Sequence, residues 1–129
     1  MAATLDALRR MFPRRRLWCV FQPHQASRTA RLLDELAASL QNADMVMVAE
    51  VFRAREGPPQ PGEATAADLY CRARALGARG AAAHTFEEIT ATLEIRLLPG
   101  DVLATLGAGD IGRIGHGFLE RFREDRAAG

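Results

Sequence analysis

The chain has no lysine: all 17 of its basic residues are arginine. That absence excludes a Walker A loop, whose lysine must reach the β/γ-phosphates of a nucleotide. It equally excludes a Schiff-base or carbamylated lysine, so any handling of nucleotide phosphates has to lie elsewhere. Cysteine is scarce too. Cys19 and Cys71 sit in apolar surroundings without metal or redox spacing, which reads as two buried, reduced thiols. Of the three histidines, His84 is expected to end a strand and His116 to lie on the polar side of the last helix. Neither has a ligand-spaced partner, and no metal is assigned. No apolar run approaches the ~18 residues of a membrane span, and no signal peptide is visible, so the expected location is the cytoplasm, with no membrane partner. Charge of one sign is also lacking: the net charge of +1 argues against a strong polyelectrolyte partner.

What is present is ordinary for one globular domain. The 129 residues are 48% hydrophobic and 26% charged, enough to bury a core without staples. Residues 3–12 read as a short helix stopped by Pro13, and Leu17–Phe21 as a first strand. Ser27 is the expected N-cap of a helix with Leu33, Leu36, Ala37 and Leu40 on one face. Met45–Phe52 is almost continuously apolar, as in a parallel strand covered on both sides. Thr65 with Asp68 forms a variant capping box, opening a helix with Leu69, Ala73 and Leu76 inward and closed by Gly77. Gly80–His84 is a weak third strand. Thr85 with Glu88 caps a helix that turns Phe86, Ile89, Leu93 and Leu97 to one side. Pro99-Gly100 leads into a strand over Asp101–Leu106. The last helix points Ile111, Ile114, Phe118 and Phe122 inward and is expected to fray from Arg126. Helices alternating with strands imply parallel pairing through right-handed crossovers. The expected fold is α/β: a three-layer, Rossmann-like domain with a mainly parallel sheet of about four strands flanked by helices. No internal linker divides residues 1–129.

The segment Phe21-Gln22-Pro23-His24-Gln25-Ala26-Ser27-Arg28-Thr29 runs from the first strand into the second helix. Residues just past the carboxyl end of a strand line the ligand crevice of an open α/β sheet. A histidine, a hydroxyl and an arginine at that place suit a carboxylate or phosphate, and Arg28 can hold one through two parallel hydrogen bonds. A cation in a first helical turn conflicts with the helix dipole, and a bound anion would repair the conflict. Gly107-Ala108-Gly109-Asp110-Ile111-Gly112 fits the dinucleotide pattern G-x-G-x-x-G. That fingerprint belongs to a first βα unit with an acidic residue about 20 positions on, whereas here it follows the last strand. Its glycines instead read as a tight turn aiming backbone N–H groups at a small anion. Five arginines between Arg9 and Arg16 make a basic cluster, but no aromatic residues interleave as in a nucleic-acid module; a solvated helix end is the reading adopted.

The string F-Q-P-H-x-x-S-R-T resembles the opening of the C-terminal domain of the Mur ligases, closest to the ligases that join L-alanine to UDP-N-acetylmuramate. Ala49–Glu56 with Pro59-Gln60-Pro61-Gly62, Pro99–Leu103, and Gly107–Ile111 resemble further stretches of that domain in the same order. The resemblance covers residues from about Thr4 to Phe122. It implies one Mur ligase C-terminal domain over 1–129, without the UDP-binding and ATPase domains. Its role would be to bring the amino acid and close over ATP in an ATP-dependent, amide-forming ligase of bacterial peptidoglycan biosynthesis. Its partners would be L-alanine, ATP and UDP-N-acetylmuramate, with no nucleic acid. ATP and Mg2+ would serve the full-length enzyme, none held tightly by this domain, which would be inactive alone.

By the same resemblance His24, Ser27 and Arg28 face the amino acid and orient its carboxylate. Ala108, Gly109 and Asp110 form the opposite wall, with Asp110 either the helix N-cap or a partner for the substrate ammonium. Glu56 joins them as a weaker candidate beside the alternative of a solvated loop. Two rival functions are carried forward: a stand-alone dinucleotide binder, and an interaction domain using the Arg9–Arg16 cluster.

Overall fold

A computed structural model of the protein describes residues 1–24, 26–52, 57–58, 60–107 and 110–128, with side chains as far as Arg121. Helix α1 (Ala2–Met11) leads to strand β1 (Leu17–Gln22). Helices α2 (Ala26–Arg31) and α3 (Leu33–Ser39), with a 3-10 turn at Leu40–Asn42, bring the chain to β2 (Met45–Val48). Helices α4 (Ala66–Ala75) and α5 (Phe86–Arg96) precede β3 (Val102–Gly107), and α6 (Gly112–Ala128) follows it. The strands pair in the order β2-β1-β3, all parallel, so β1 is central and every one of its residues is buried.

The pleat of β1 divides the core. Leu17, Cys19 and Phe21 face one side, packed by Leu5 of α1, Ala37 of α3, and Leu69 and Ala73 of α4. Trp18 and Val20 face the other, packed by Ile89 and Leu93 of α5 and by Ile114 of α6. Helices on both faces of a parallel sheet give the three layers expected from the alternating pattern.

Both capping boxes form. The Thr65 hydroxyl accepts from the Asp68 N–H while the Asp68 carboxylate accepts from the Thr65 N–H, and Thr85 and Glu88 reciprocate in the same way. Several expectations are corrected. Gly80–His84 is not a ladder-forming strand: Val46 N–H donates to Arg79 O and Glu50 N–H to His84 O, giving contact at both ends. Between them, Ala83 N–H turns back onto Ala81 O and leaves the sheet. The β2 ladder stops at Val48, with only a bridge from His24 to Phe52 beyond, because Pro23 has no N–H to continue it. The single helix expected after Ser27 is two, broken at Leu32. Leu76 is exposed because α4 ends at Ala75 and Leu76 already belongs to its cap. Cys71 is exposed rather than buried, whereas Cys19 is enclosed and burial pushes its thiol up to about 12. Helix α6 continues to Ala128 without the expected fraying, and the Phe122 side chain lies outside the described residues.

A polar knot pins β3 to β1. Asp101 Oδ2 accepts from Arg16 Nη2 (2.7 Å), the Leu98 N–H (2.9 Å) and Trp18 Nε1 (3.0 Å). The Arg16 and Arg96 guanidinium carbons lie 5.1 and 5.5 Å from the Trp18 ring centroid. Burial pulls the Asp101 carboxyl upward, but hydrogen bonds from Arg16, Leu98 and Trp18, with the charge of Arg16, hold it below 3.8 overall.

Most of the Arg9–Arg16 cluster is engaged within the fold rather than merely solvated. Arg9 pairs with Asp44 at 2.8 Å and Arg10 with Asp6 at 2.9 Å; Arg15 donates to Gly100 O, and Arg16 is held by Asp101. Among the described residues no helix is long and apolar enough to cross a membrane.

Candidate functional site

The carboxyl ends of β1 and β3 open into a cavity of about 370 Å³. Its lining includes Phe21 and Gln22 from β1, His24 beyond it, Arg28 and Thr29 from α2, and Gly107 from β3. Leu32 and Leu36 close the α3 side, so two basic side chains stand over a largely apolar floor.

Each group is positioned by local chemistry. Pro23 ends the ladder and its carbonyl accepts from Phe52 N–H at 2.8 Å, which draws His24 beside Phe52. The two rings stack with centroids 5.7 Å apart and planes 18° from parallel, so the half-buried imidazole is fixed in orientation. Arg28 projects from the first turn of α2, which contains no acidic residue. Among the described residues its guanidinium has no ion-pair or hydrogen-bond partner, although its backbone carbonyl continues the helix. With only six residues, α2 has a small dipole, so the side chains rather than the helix end supply the positive character.

Gly107 shapes the opposite wall. Its φ is +124°, and a Cβ there would stand 2.2 Å from the Gln22 carbonyl oxygen. Its lack of a side chain therefore answers a need of β1–β3 packing, and its place on the last strand removes the setting of a dinucleotide fingerprint. Asp110 is exposed, lies outside the cavity lining, and faces Arg113 at 3.5 Å. Ser27 is the second residue of α2 rather than its N-cap, is exposed, and does not line the cavity. Ala108, Gly109 and Glu56 lie outside the described residues, as do Gln25, Arg53, Arg55 and Pro59.

One residue at the cleft escaped the sequence reading. Gln22 is 7% exposed; its Nε2 donates to the Glu50 carbonyl at 3.1 Å, while its Oε1 is buried without a hydrogen-bond partner among the described residues. A buried acceptor left unpaired costs about 1–3 kcal/mol. The available signal was a polar residue closing an otherwise apolar strand. By contrast, His84 is satisfied, its Nδ1 lying 2.7 Å from Val48 O. Among the described residues no group of three or more His, Cys, Asp or Glu side chains is arranged to hold a metal ion.

A parallel three-layer domain with a cleft at its strand ends that carries Arg28 and His24 defines the class: an α/β module with a basic cleft where β1 meets its neighbours. Comparison with known proteins makes this particular. The family model of the Mur ligase, glutamate ligase domain, matches residues 1–109, and the chain belongs to that family, the C-terminal domain of the Mur ligases. It is 42% identical over 118 residues to the UDP-N-acetylmuramate–L-alanine ligase of Clostridium novyi, covering 92% of this chain and 25% of the relative. It is 44% identical over 126 residues to the enzyme of that name from Salinibacter ruber, covering 95% of this chain and 26% of the relative. The chain thus spans about a quarter of the length of these curated relatives. The crystal structure of UDP-N-acetylmuramate–alanine ligase from Thermotoga maritima shares the fold, with a TM-score of 0.72 at 22% identity over 96% of this chain and 24% of that one.

Proposed function

We propose that this domain positions L-alanine for an ATP-dependent ligase that joins it to UDP-N-acetylmuramate in peptidoglycan synthesis. The single observation that carries the reading is Arg28. Its guanidinium has no partner among the described residues and lines a cavity with His24, both drawn from the segment resembling the ligase motif. The relatives that share more than 40% identity carry that activity in their names.

In the proposed reaction ATP phosphorylates the sugar's lactyl carboxylate, giving ADP and an acyl phosphate. The alanine nitrogen then attacks the acyl carbon. A C–N bond forms, the C–O bond to phosphate breaks, inorganic phosphate leaves, and the amine gives up a proton to water or phosphate. The chain's own part is positioning and electrostatic stabilisation. Arg28 would hold the alanine carboxylate through a charge-assisted pair of hydrogen bonds. His24, locked on Phe52, would hold the same carboxylate or the charge developing nearby. No residue of this chain is given a role toward the ATP phosphates or magnesium in this proposal.

A domain graft tests this. Residues 4–125 replace the C-terminal domain of a working L-alanine-adding ligase, and phosphate release is followed as L-alanine is varied. Arg28→Ala should raise KM for alanine about 10- to 100-fold, the weight of a charged hydrogen bond, with little change in KM for ATP. His24→Ala should move in the same direction. An active chimera indifferent to both substitutions would refute the site. The 129-residue chain alone is expected to form no amide from ATP and alanine.

A further inference from the structure

We propose that a second cavity, at the amino ends of β1 and β2, binds an oligophosphate: a chain of two or three phosphoryl groups, free or carried on a nucleotide. The site is separate from the cleft, since β1 spans six residues and about 20 Å lies between its two ends. The cavity holds about 580 Å³, within the range of small-molecule sites. Five arginines line it: Arg9 at the end of α1, Arg14, Arg15 and Arg16 in the turn into β1, and Arg79 beyond α4. Asp44 is the one acid among the described lining residues. Two of the five cations are spent. Arg9 pairs with Asp44 at 2.8 Å, and Arg16 with Asp101, outside the cavity, at 2.7 Å. Asp44 also accepts from the Leu17 N–H at 2.7 Å, so it is committed to the fold. Arg15 donates to the Gly100 carbonyl at 3.3 Å, a neutral acceptor that leaves its charge uncompensated. The exposed Arg14 and Arg79 side chains have no hydrogen-bond or ion-pair partner among the described residues. The fold thus brings three uncompensated guanidinium groups from two distant segments to one concavity.

Service to helix ends does not account for these arginines. Helix α1, the turn after α3, and α4 all finish at this side of the sheet, and each such end carries about half a negative charge. Three ends offset about half of the excess. Their carbonyls are also served by other arginines: Arg9 Nη2 donates to Asn42 O at 3.1 Å, and Arg74 Nη1 to Ala78 O at 3.0 Å. Arg14 and Arg79 keep their donors unspent, and a guanidinium presents those donors as a planar fork matched to two oxygens of a phosphoryl group. A phosphoryl chain carries several negative charges, with oxygens enough to bridge Arg14 and Arg15 to Arg79. A lone carboxylate brings one charge and engages one fork.

The test titrates the 15N-labelled chain with tripolyphosphate at low ionic strength, following backbone amides by NMR, and repeats the titration with orthophosphate and with magnesium-free ATP. Saturable shifts should centre on residues 14–17, 43–45 and 77–80, with tripolyphosphate held on the order of 10-fold more tightly than orthophosphate. ATP bound more tightly than tripolyphosphate would identify a nucleotide as the source of the chain; ATP bound no more tightly would identify the inorganic chain. Arg14→Gln and Arg79→Gln should each weaken binding about 10-fold or more. Arg113→Gln removes the same charge at the opposite end of the sheet and should leave affinity unchanged. Without ligand, neither Arg14→Gln nor Arg79→Gln should lower Tm, since neither breaks a hydrogen bond or ion pair of the described fold. A lower ligand-free Tm with unchanged affinity would assign these arginines to the helix ends and overturn the site. No saturable response to tripolyphosphate, or an equal loss in Arg113→Gln, would overturn it as well. So would tighter binding of a single-stranded oligonucleotide with shifts spread over the whole surface.

Discussion

Replacing Gly107 with alanine should damage the domain far more than the same change at another glycine of positive φ. At Gly62 φ is +87° and a Cβ would meet nothing within 4 Å, so Gly62→Ala isolates the conformational cost. That cost is about 1–2 kcal/mol, partly offset by the stiffer unfolded chain, for a net loss of about 1 kcal/mol. Gly107 adds two burdens. Its φ of +124° lies in backbone space that is essentially reserved for glycine, worth about 1–3 kcal/mol. Its Cβ would also stand 2.2 Å from Gln22 O and 3.0 Å from Gln22 N and C, all backbone atoms of the central strand that no rotamer change can move. Overpacking of that kind adds about 1–3 kcal/mol, for a total of about 2–6 kcal/mol. At the scale for a domain of this size, Tm should fall on the order of 10–20 °C. Gly80→Ala is the complementary control: its φ is not in the left-handed region, but a Cβ would stand 1.9 Å from Val46 O, at the peripheral bridge. Its loss should fall between the other two and leave the cleft intact. Urea titration followed by circular dichroism measures all three, with the m-value checking that the unfolded reference is unchanged. A Gly107→Ala protein no less stable than Gly62→Ala would refute the close approach of β3 to β1 on which the cleft wall depends.

Two further outcomes follow from the buried groups. Asp101 is held below its ordinary value, so its stabilisation is complete above that value and is lost as pH falls through the still lower folded value. Asp101→Asn should therefore cost about 2 kcal/mol near neutrality, and the gap from the parent in urea titrations should close on acidification below about pH 4; a gap independent of pH would refute the pairing. Alkylation with iodoacetamide near pH 8 should modify exposed Cys71 within minutes and Cys19 only on unfolding, since the Cys19 thiol is buried and pushed up to about 12. Equal labelling of both in the folded chain, read by mass spectrometry of the peptides, would contradict the enclosed β1.

Features decided within a few residues were legible beforehand. Thr65–Asp68 and Thr85–Glu88 close their boxes because capping is a transaction among four consecutive residues. His24 and Arg28 meet at one cavity because a strand end and the next helix are joined by a short turn. What the chain did not disclose lies between distant segments. The acceptor for Trp18 and Arg16 is Asp101, and nothing local to either end announces it. Ser27 and Asp110 carry suitable chemistry near the strand ends, yet neither lines the cavity, because that depends on where helices begin, a boundary that pattern alone leaves loose. Gln22 was passed over because an orphaned acceptor exists only once its surroundings are packed.

The central strand has a consequence for how the molecule comes into being. Strand β1 precedes both of its neighbours, and the Arg16–Asp101 link that anchors it to β3 closes a separation of 85 residues. While a ribosome delivers the chain, β1 can find β2 early, but one of its edges stays bare until β3 has emerged. An all-parallel pairing over such a span is slow to nucleate, on the millisecond-to-second scale, because loop entropy must be lost before the contacts form. The cleft, whose walls are Gln22 and Gly107, is among the last features to assemble. During that interval the exposed apolar edge Leu17–Phe21 is the segment through which nascent chains would aggregate or recruit a chaperone.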